Sequence, residues 1–393
     1  MLPAQLRSLI VAAVVALVLY VVLRRLCTAQ DSASKKSPRR RSGGGAGRTS
    51  AKRIAPQKVD AFTAAVCAAV PDMTPDVARS FFPRKFEVHG HVVVLRLNDG
   101  TALEEFRPLA RFFAESFAPV VVDVVLLDAD GIVGELRRPS LQALFVAETV
   151  VSESAAVLRR TVQRRWADSQ APGRSSCVTA ADVEDMLQRR ATSPTFTAHV
   201  ENGVLYSFDV SRVMFSSGNT TERMHFGAVA ATGDVVVDMF AGIGYFTLPL
   251  AMHGGVAAIH ALEKNPDSVD FIRLNAVLNR VDHLIHPVCG DNREVGEALL
   301  GTCDRVLMGY IPSCKSFLPR AVAFLKLTAS GRPRGIVHYH LLAERHGAAQ
   351  TALQDVRDEL GEDAAAGVRL VALRCVKSYA PKRFHFVADL HFE

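Results

Sequence analysis

The chain has 393 residues, enough for two or three folding units with a buried core, and at 49% hydrophobic and 22% charged it is excluded from the largely disordered class. Its net charge of +6 does not describe the whole molecule, because residues 1–58 hold twelve Lys and Arg against Asp31 alone. That segment carries +11 and leaves −5 for the rest, which excludes a uniformly basic body and confines any nucleic-acid contact to local patches.

Residues 1–25 contain the first element, an unbroken apolar run from Leu9 to Leu23 (LIVAAVVALVLYVVL). Its fifteen residues fall short of the roughly 17–25 that span a bilayer, but Ser8 and the flanking Arg24 and Arg25 extend it. A secretory leader has an apolar run of this length, yet only Arg7 precedes it and no clean small-residue cleavage site follows. A mitochondrial presequence is amphipathic, whereas this run is apolar all round. The reading is an uncleaved transmembrane anchor, with the positive charge on its C-terminal side placing the body in the cytosol; a mitochondrial location is the alternative. Residues 26–58 are basic and rich in Ser and Gly, the composition of a disordered linker.

Residues 59–150 read as a small α+β domain. Phe86–Leu97 (FEVHGHVVVLRL) is expected to be a strand, Leu103–Phe117 a helix, and Val120–Val133 a buried strand with a turn. Residues 151–213 link this unit to the next. A helix is expected over Leu141–Trp166, ending in Arg159, Arg160, Arg164 and Arg165, a basic patch suited to phosphates or to a solvated helix end. Residues 167–193 are expected to form a loop, and TFTAHV and LYSFDV a hairpin around Asn202-Gly203.

Residues 214–393 alternate strand and helix in a regular series, which implies a parallel, doubly wound sheet. The last two strands, VRLVALRCV and RFHFVADLHF, have no helix between them and predict an antiparallel edge. That ending suits a Rossmann-like transferase of S-adenosylmethionine better than a dinucleotide dehydrogenase. The cofactor signal agrees. In VVDMFAGIGYFTL, Asp238 ends a strand and Gly242 and Gly244 occupy the turn before a helix, without the third glycine of the dinucleotide fingerprint. Glu263 ends the next strand, 25 residues on, where a carboxylate can accept both ribose hydroxyls; Asp291 and Asn292 follow a third strand, where they can meet the adenine edge. The seven cysteines are scattered, with no Cys-x-x-Cys pair and no Cys/His cluster, so no metal is expected and the chain suits a reducing compartment.

The segments FSSGNTTER (215–223), DMFAGIGYFTLP (238–249), EKNPDSVDFIRLNAVLN (263–279), GDNR (290–293), GYIPSCKSFLPRA (309–321) and VKSYAP (376–381) together resemble the tRNA wybutosine-synthesising aminocarboxypropyltransferases. Relatives of that family are the tRNA guanine-N1 methyltransferases, which act just 3′ of the anticodon. The resemblance implies cofactor contacts from Ser216, Arg223, Glu263, Asp291 and Asn292. It also bears on the loop Gly309-Tyr310-Ile311-Pro312-Ser313-Cys314. The methylating relatives carry Asn-Leu-Pro there, and the aminocarboxypropyl enzymes a Gly-Leu-Ile-Pro-Ser-Ser type, which this chain follows apart from Tyr310 and Cys314. Gly309, Pro312 and Ser313 are therefore the expected catalytic positions, with Gly309 removing an amine-gripping side chain and opening space for a bulkier transferred group.

The implied reaction moves the 3-amino-3-carboxypropyl group of S-adenosylmethionine to a carbon of 4-demethylwyosine in tRNA(Phe), releasing 5′-methylthioadenosine. Positioning supplies most of such catalysis. No general base stands out, although Asp291 and His338 are candidates, and Cys314 is not needed as a nucleophile. Two other readings remain open at this point: a guanine-N1 methyltransferase of the same fold, and an inactive membrane-tethered tRNA-binding protein. No protein partner is implied.

Overall fold

The short runs Val235–Asp238 (VVVD) and Arg305–Met308 (RVLM) are buried along almost all their length and lie at the centre of a sheet covered on both faces. The computed structural model describes residues 55–393, apart from 149, 170–175, 177, 191 and 216. The expected anchor and most of the basic linker lie outside the described residues. Among the described residues no helix is long and apolar enough to cross a membrane.

The first part of the described chain is built on a four-stranded sheet of β1 (Lys85–His89), β2 (Val92–Arg96), β3 (Val124–Val133) and β4 (Arg138–Val146), in that order. The β2–β3 pair is parallel and the other two are antiparallel. Phe62, Phe82, Phe106, Phe113 and Phe117 fill its core, with edge-to-face rings at centroid distances of 5.2–6.4 Å. Four expectations are corrected here. Phe86–Leu97 is not one strand but a hairpin, because Gly90 turns the chain at φ +59°. The helix expected over Leu103–Phe117 is broken into Leu103–Phe106 and Ala110–Glu115, since Pro108 lacks the N–H that would continue it. Leu141–Val146 belongs to β4, so the next helix starts only at Val150 and runs to Ser169. Arg160 and Arg164 are exposed on it. A helix at Ala180–Arg190 occupies much of the stretch read as a loop, its Arg190 buried against Asp267 and Asp270.

The hairpin of β5 (Phe196–Glu201) and β6 (Val204–Asp209) forms as expected. The main sheet follows with β7 (Val235–Asp238), β8 (Ala258–Glu263), β9 (Ile285–Cys289), β10 (Arg305–Met308), the short β11 (Lys326–Leu327), β12 (Pro333–Ala343), β13 (Val368–Ala380) and β14 (Arg383–Phe392). Its order is β9-β8-β7-β10-β12-β14-β13, with β11 paired to β12. Strands β9 to β12 along this order run parallel, and β14 and β13 are antiparallel. The antiparallel edge read from the sequence is present, with β14 inserted between β12 and β13. Chain order reverses between β7 and β10, so a crevice opens above their C-terminal ends, where sheets of this kind hold ligands.

Candidate functional site

The turn after β7 is held by one carboxylate. Asp238 is fully buried; its Oδ1 accepts the Phe240 N–H at 3.2 Å and its Oδ2 accepts the Thr247 hydroxyl at 2.8 Å. Thr247 opens the helix Thr247–His253, so Asp238 ties strand to helix across the glycine turn. Burial pushes its pKa up to about 7. Asp238 thus lies beneath the turn and outside the cavity wall, which corrects its expected role as a direct ligand. The two glycines also divide the work. Gly242 (φ +57°) is in the wall, and a Cβ there would lie 2.4 Å from the Tyr245 ring. Gly244 (φ +93°) is not in the wall; a Cβ on it would meet Leu248 at 2.8 Å, so it serves close packing at the helix start.

The crevice holds a cavity of about 390 Å³, within the usual range for small-ligand sites. Towards the β8–β9 side its wall contains Glu263, Asp291 and Asn292. Glu263 accepts the Gly242 N–H through Oε2 and the Asn265 N–H through Oε1, both at 2.8 Å. Burial raises its pKa, and those backbone donors oppose the rise. Asp291 is occupied by the Arg293 guanidinium and by Lys264 at 3.2 Å, and the Arg293 contact holds its pKa well below the carboxylate range. It is therefore no general base. Asn292 donates from Nδ2 to the Met239 carbonyl at 2.7 Å, while its buried Oδ1 has no partner. A buried, unpaired acceptor costs stability unless a ligand donor satisfies it, so Asn292 Oδ1 suits the exocyclic amine of an adenine. Glu263 in turn suits a ribose diol. These residues fit S-adenosylmethionine.

The opposite side of the cavity is walled by the antiparallel strands and by the turn Ser217–Asn219. Lys377 on β13 and His385 on β14 are directly paired in register, and both line the cavity with Asn219 and Tyr379. His385 Nε2 is 3.0 Å from His340 Nδ1, and its Nδ1 is buried without a partner. Burial lowers its pKa to about 4, so it is neutral at physiological pH. His338, the other candidate base, shares a face of β12 with His340 but lies farther from the strand's C-terminal end, buried between Asp389 at 2.7 Å and Arg305 at 2.7 Å. It is outside the cavity wall, which corrects its expected place as a candidate base.

The loop after β10 forms the cavity's third side. Gly309 lines it, and a Cβ there would fall 2.7 Å from a Phe246 ring carbon. Tyr310 stacks on Phe240 with ring centroids 5.1 Å apart. Pro312 and Ser313, two of the expected catalytic positions, are exposed and outside the wall; the Ser313 hydroxyl accepts the Lys315 N–H at 3.3 Å instead. Cys314 is fully buried, its thiol on the His340 carbonyl at 3.1 Å and its pKa pushed by burial up to about 12, so it is no nucleophile.

The cofactor contacts implied for Ser216 and Arg223 fare differently. Ser216 is outside the described residues. Arg223 is buried, forks onto Glu201 at 2.6 and 2.7 Å, lies 5.1 Å from the centre of the Phe215 ring, and does not reach the cavity wall. Sequence reasoning missed Arg137, Asn219, Lys377 and His385. Asn219 and Lys377 sit inside the quoted motifs FSSGNTTER and VKSYAP, and that placement was the available signal. Arg137 comes from the tip between β3 and β4. Its Nη1 donates to the Ile311 carbonyl at 2.6 Å, and its guanidinium carbon lies 5.2 Å from the centre of the Tyr310 ring. Glu135–Lys264 at 2.9 Å and the Leu136 carbonyl to Asn265 at 3.1 Å seat the same tip on the rim. Among the described residues no cluster of three or more His, Cys, Asp or Glu is arranged to hold a metal.

Comparison with known proteins agrees with this architecture. Residues 197–365 match the model of the TRM5/TYW2 methyltransferase domain. The chain is 36% identical over 201 residues to a tRNA(Phe) (4-demethylwyosine(37)-C(7)) aminocarboxypropyltransferase of Methanocaldococcus jannaschii, covering 51% of this chain and 76% of that one. It is 43% identical over 142 residues to the human tRNA wybutosine-synthesizing protein 2 homolog, covering 36% of this chain and 30% of that protein. The crystal structure of Pyrococcus horikoshii TYW2 in complex with MeSAdo superposes with a TM-score of 0.59 at 25% identity, covering 85% of this chain and 98% of that one.

Proposed function

Because the chain belongs to the TRM5/TYW2 family of S-adenosylmethionine-dependent tRNA-modifying enzymes, we propose that it transfers the 3-amino-3-carboxypropyl group of S-adenosylmethionine to the carbon of 4-demethylwyosine in tRNA(Phe). The observation that carries this reading is Gly309. Where a methyltransferase of the family presents an Asn to the acceptor nitrogen, this chain presents bare backbone against the Phe246 ring. In the reaction a carbon–sulfur bond of the sulfonium breaks as the carbon–carbon bond to the base forms. The thioether 5′-methylthioadenosine leaves with the electron pair, and the acceptor carbon gives up its proton. Glu263 and Asn292 hold the nucleoside part, and the loop at Gly309 and Tyr310 walls the side on which the acceptor enters. The chain's work is orientation, since a sulfonium is already an activated donor.

The test is to incubate the full chain with hypomodified tRNA(Phe) and S-adenosylmethionine labelled either in the methyl or in the carboxyl group. Carboxyl label in the tRNA and methyl label in released methylthioadenosine are expected. Methyl label entering the tRNA would overturn the reading in favour of guanine-N1 methylation, and label in neither would favour a non-catalytic tRNA-binding protein.

The apolar run Leu9–Leu23, followed by the Lys- and Arg-rich linker, supports a membrane anchor that leaves the catalytic part in the cytosol. Full-length protein is then expected in the carbonate-resistant membrane pellet, and protein lacking residues 1–25 in the supernatant. Recovery of both in the supernatant would rule the anchor out.

A further inference from the structure

One part of the cavity wall comes from outside the main sheet. Among the described residues that line it, only Glu135, Leu136 and Arg137 precede residue 197. They sit at the tip between β3 and β4, against Lys264 and Asn265, which follow β8, and the first turn of the helix Pro266–Leu278. The two segments carry charge in opposite senses. The tip places Glu135 three residues before Arg138, and the core places Lys264 three residues before Asp267. Glu135 meets Lys264 at 2.9 Å and Arg138 meets Asp267 at 3.2 Å. Between them Asn265 Nδ2 donates to the Leu136 carbonyl at 3.1 Å. Acid meets base at both ends, so a tip shifted by three residues along the core would oppose like charges.

The core partners do not depend on the tip. Asp267 is buried at the helix N-terminus, where an acid is favoured, and it also takes Arg190 at 2.5 Å and Arg212 at 3.7 Å. Lys264 also takes Asp291 at 3.2 Å. Parting the two segments therefore strands no buried charge. The tip's own side chains face water, Glu135 at 76% exposure and Arg138 at 48%. Pairs of this kind are weak singly and are screened by salt. The rest of the wall comes from residues 214–385, within the catalytic part, so this seam is where the cavity parts most easily. We propose that Glu135 and Arg138 are positioning residues that clasp the β3–β4 tip to Lys264 and Asp267, and that opening of this clasp sets how fast S-adenosylmethionine leaves the cavity. The inference rests on the function proposed above only in needing that cofactor bound; it does not depend on which group is transferred.

The test is a chase experiment on the full-length protein. Labelled S-adenosylmethionine is bound, excess unlabelled cofactor is added, and the release rate is followed by filter binding. Glu135→Gln and Arg138→Met are each expected to speed release about two- to fivefold, and the double variant about five- to twentyfold. Arg138→Lys, which keeps the charge, is expected to release slowly. Between about 50 and 500 mM NaCl the release rate of the unmodified protein is expected to rise, and that of the double variant to stay level. A purely structural role would not confer that difference in salt response. An unchanged release rate in the double variant overturns the clasp, as does the same salt response in both proteins or fast release by Arg138→Lys. If the unmodified protein binds no S-adenosylmethionine, the proposed function fails together with the clasp. If it binds and these variants release at the unmodified rate, only the clasp fails.

Discussion

Glu263→Ala is expected to weaken S-adenosylmethionine binding by about 2–5 kcal/mol, a loss of roughly 30-fold to several thousand-fold in affinity. Two effects add. The ribose hydroxyls lose their acceptor, and the N–H groups of Gly242 and Asn265, which Glu263 engages at 2.8 Å each, are left unpaired beneath the ligand. A single carboxylate thus contacts the nucleoside and braces the glycine turn on which it lies. Glu263→Gln keeps one acceptor oxygen but turns the other position into a donor facing an N–H, so an intermediate loss is expected. Calorimetric titration checks both variants; an affinity for Glu263→Ala within threefold of the unmodified protein would show that the ribose is held elsewhere.

Gly309→Asn is expected to lower transfer at least 100-fold while changing methylthioadenosine affinity little, because misplacement of about 1 Å at a reacting centre costs on this order. The reason is steric. A Cβ at this position would lie 2.7 and 3.2 Å from two carbons of the Phe246 ring. That ring cannot simply retreat, being buried against Phe226 and His340 at centroid distances of 5.0 and 5.3 Å. The loop must therefore move, and Tyr310 and the Ile311 carbonyl move with it. Single-turnover transfer measured beside methylthioadenosine titration separates the two effects. Unimpaired transfer by Gly309→Asn would mean that this loop does not choose the carbon.

The catalytic half was legible because its signals are strong and local. Three of the parallel strands, β7, β8 and β9, are apolar runs with an acid at or just beyond their C-terminal end, so Asp238, Glu263 and Asp291 could be placed at strand ends before any fold was known. What the pattern could not tell was which of those acids faces a ligand. Asp238 and Glu263 follow similar strands, yet Asp238 turns inward onto Thr247 while Glu263 lies in the cavity wall. Pro312 and Ser313 fall outside the cavity wall for a related reason: a loop motif marks a segment, and only the backbone path decides which of its residues look inward. Arg137, Lys377 and His385 were missed because their proximity spans more than 200 residues and depends on the tip between β3 and β4 reaching the main sheet. The first sheet was read less well, since its short strands and broken helix have no run long enough to establish a period.

That reach of the β3–β4 tip has a further consequence. The segment matching the family model begins at residue 197, yet Glu135, Leu136 and Arg137 form part of the cavity wall and hold its rim. Thermodynamic reciprocity then requires that a ligand which prefers the closed rim also tightens the attachment of the amino-terminal sheet, by the same free energy with which that attachment favours the ligand. Occupancy and interdomain cohesion become two readings of one coupling, and the segment matching the family model, excised, would lose both.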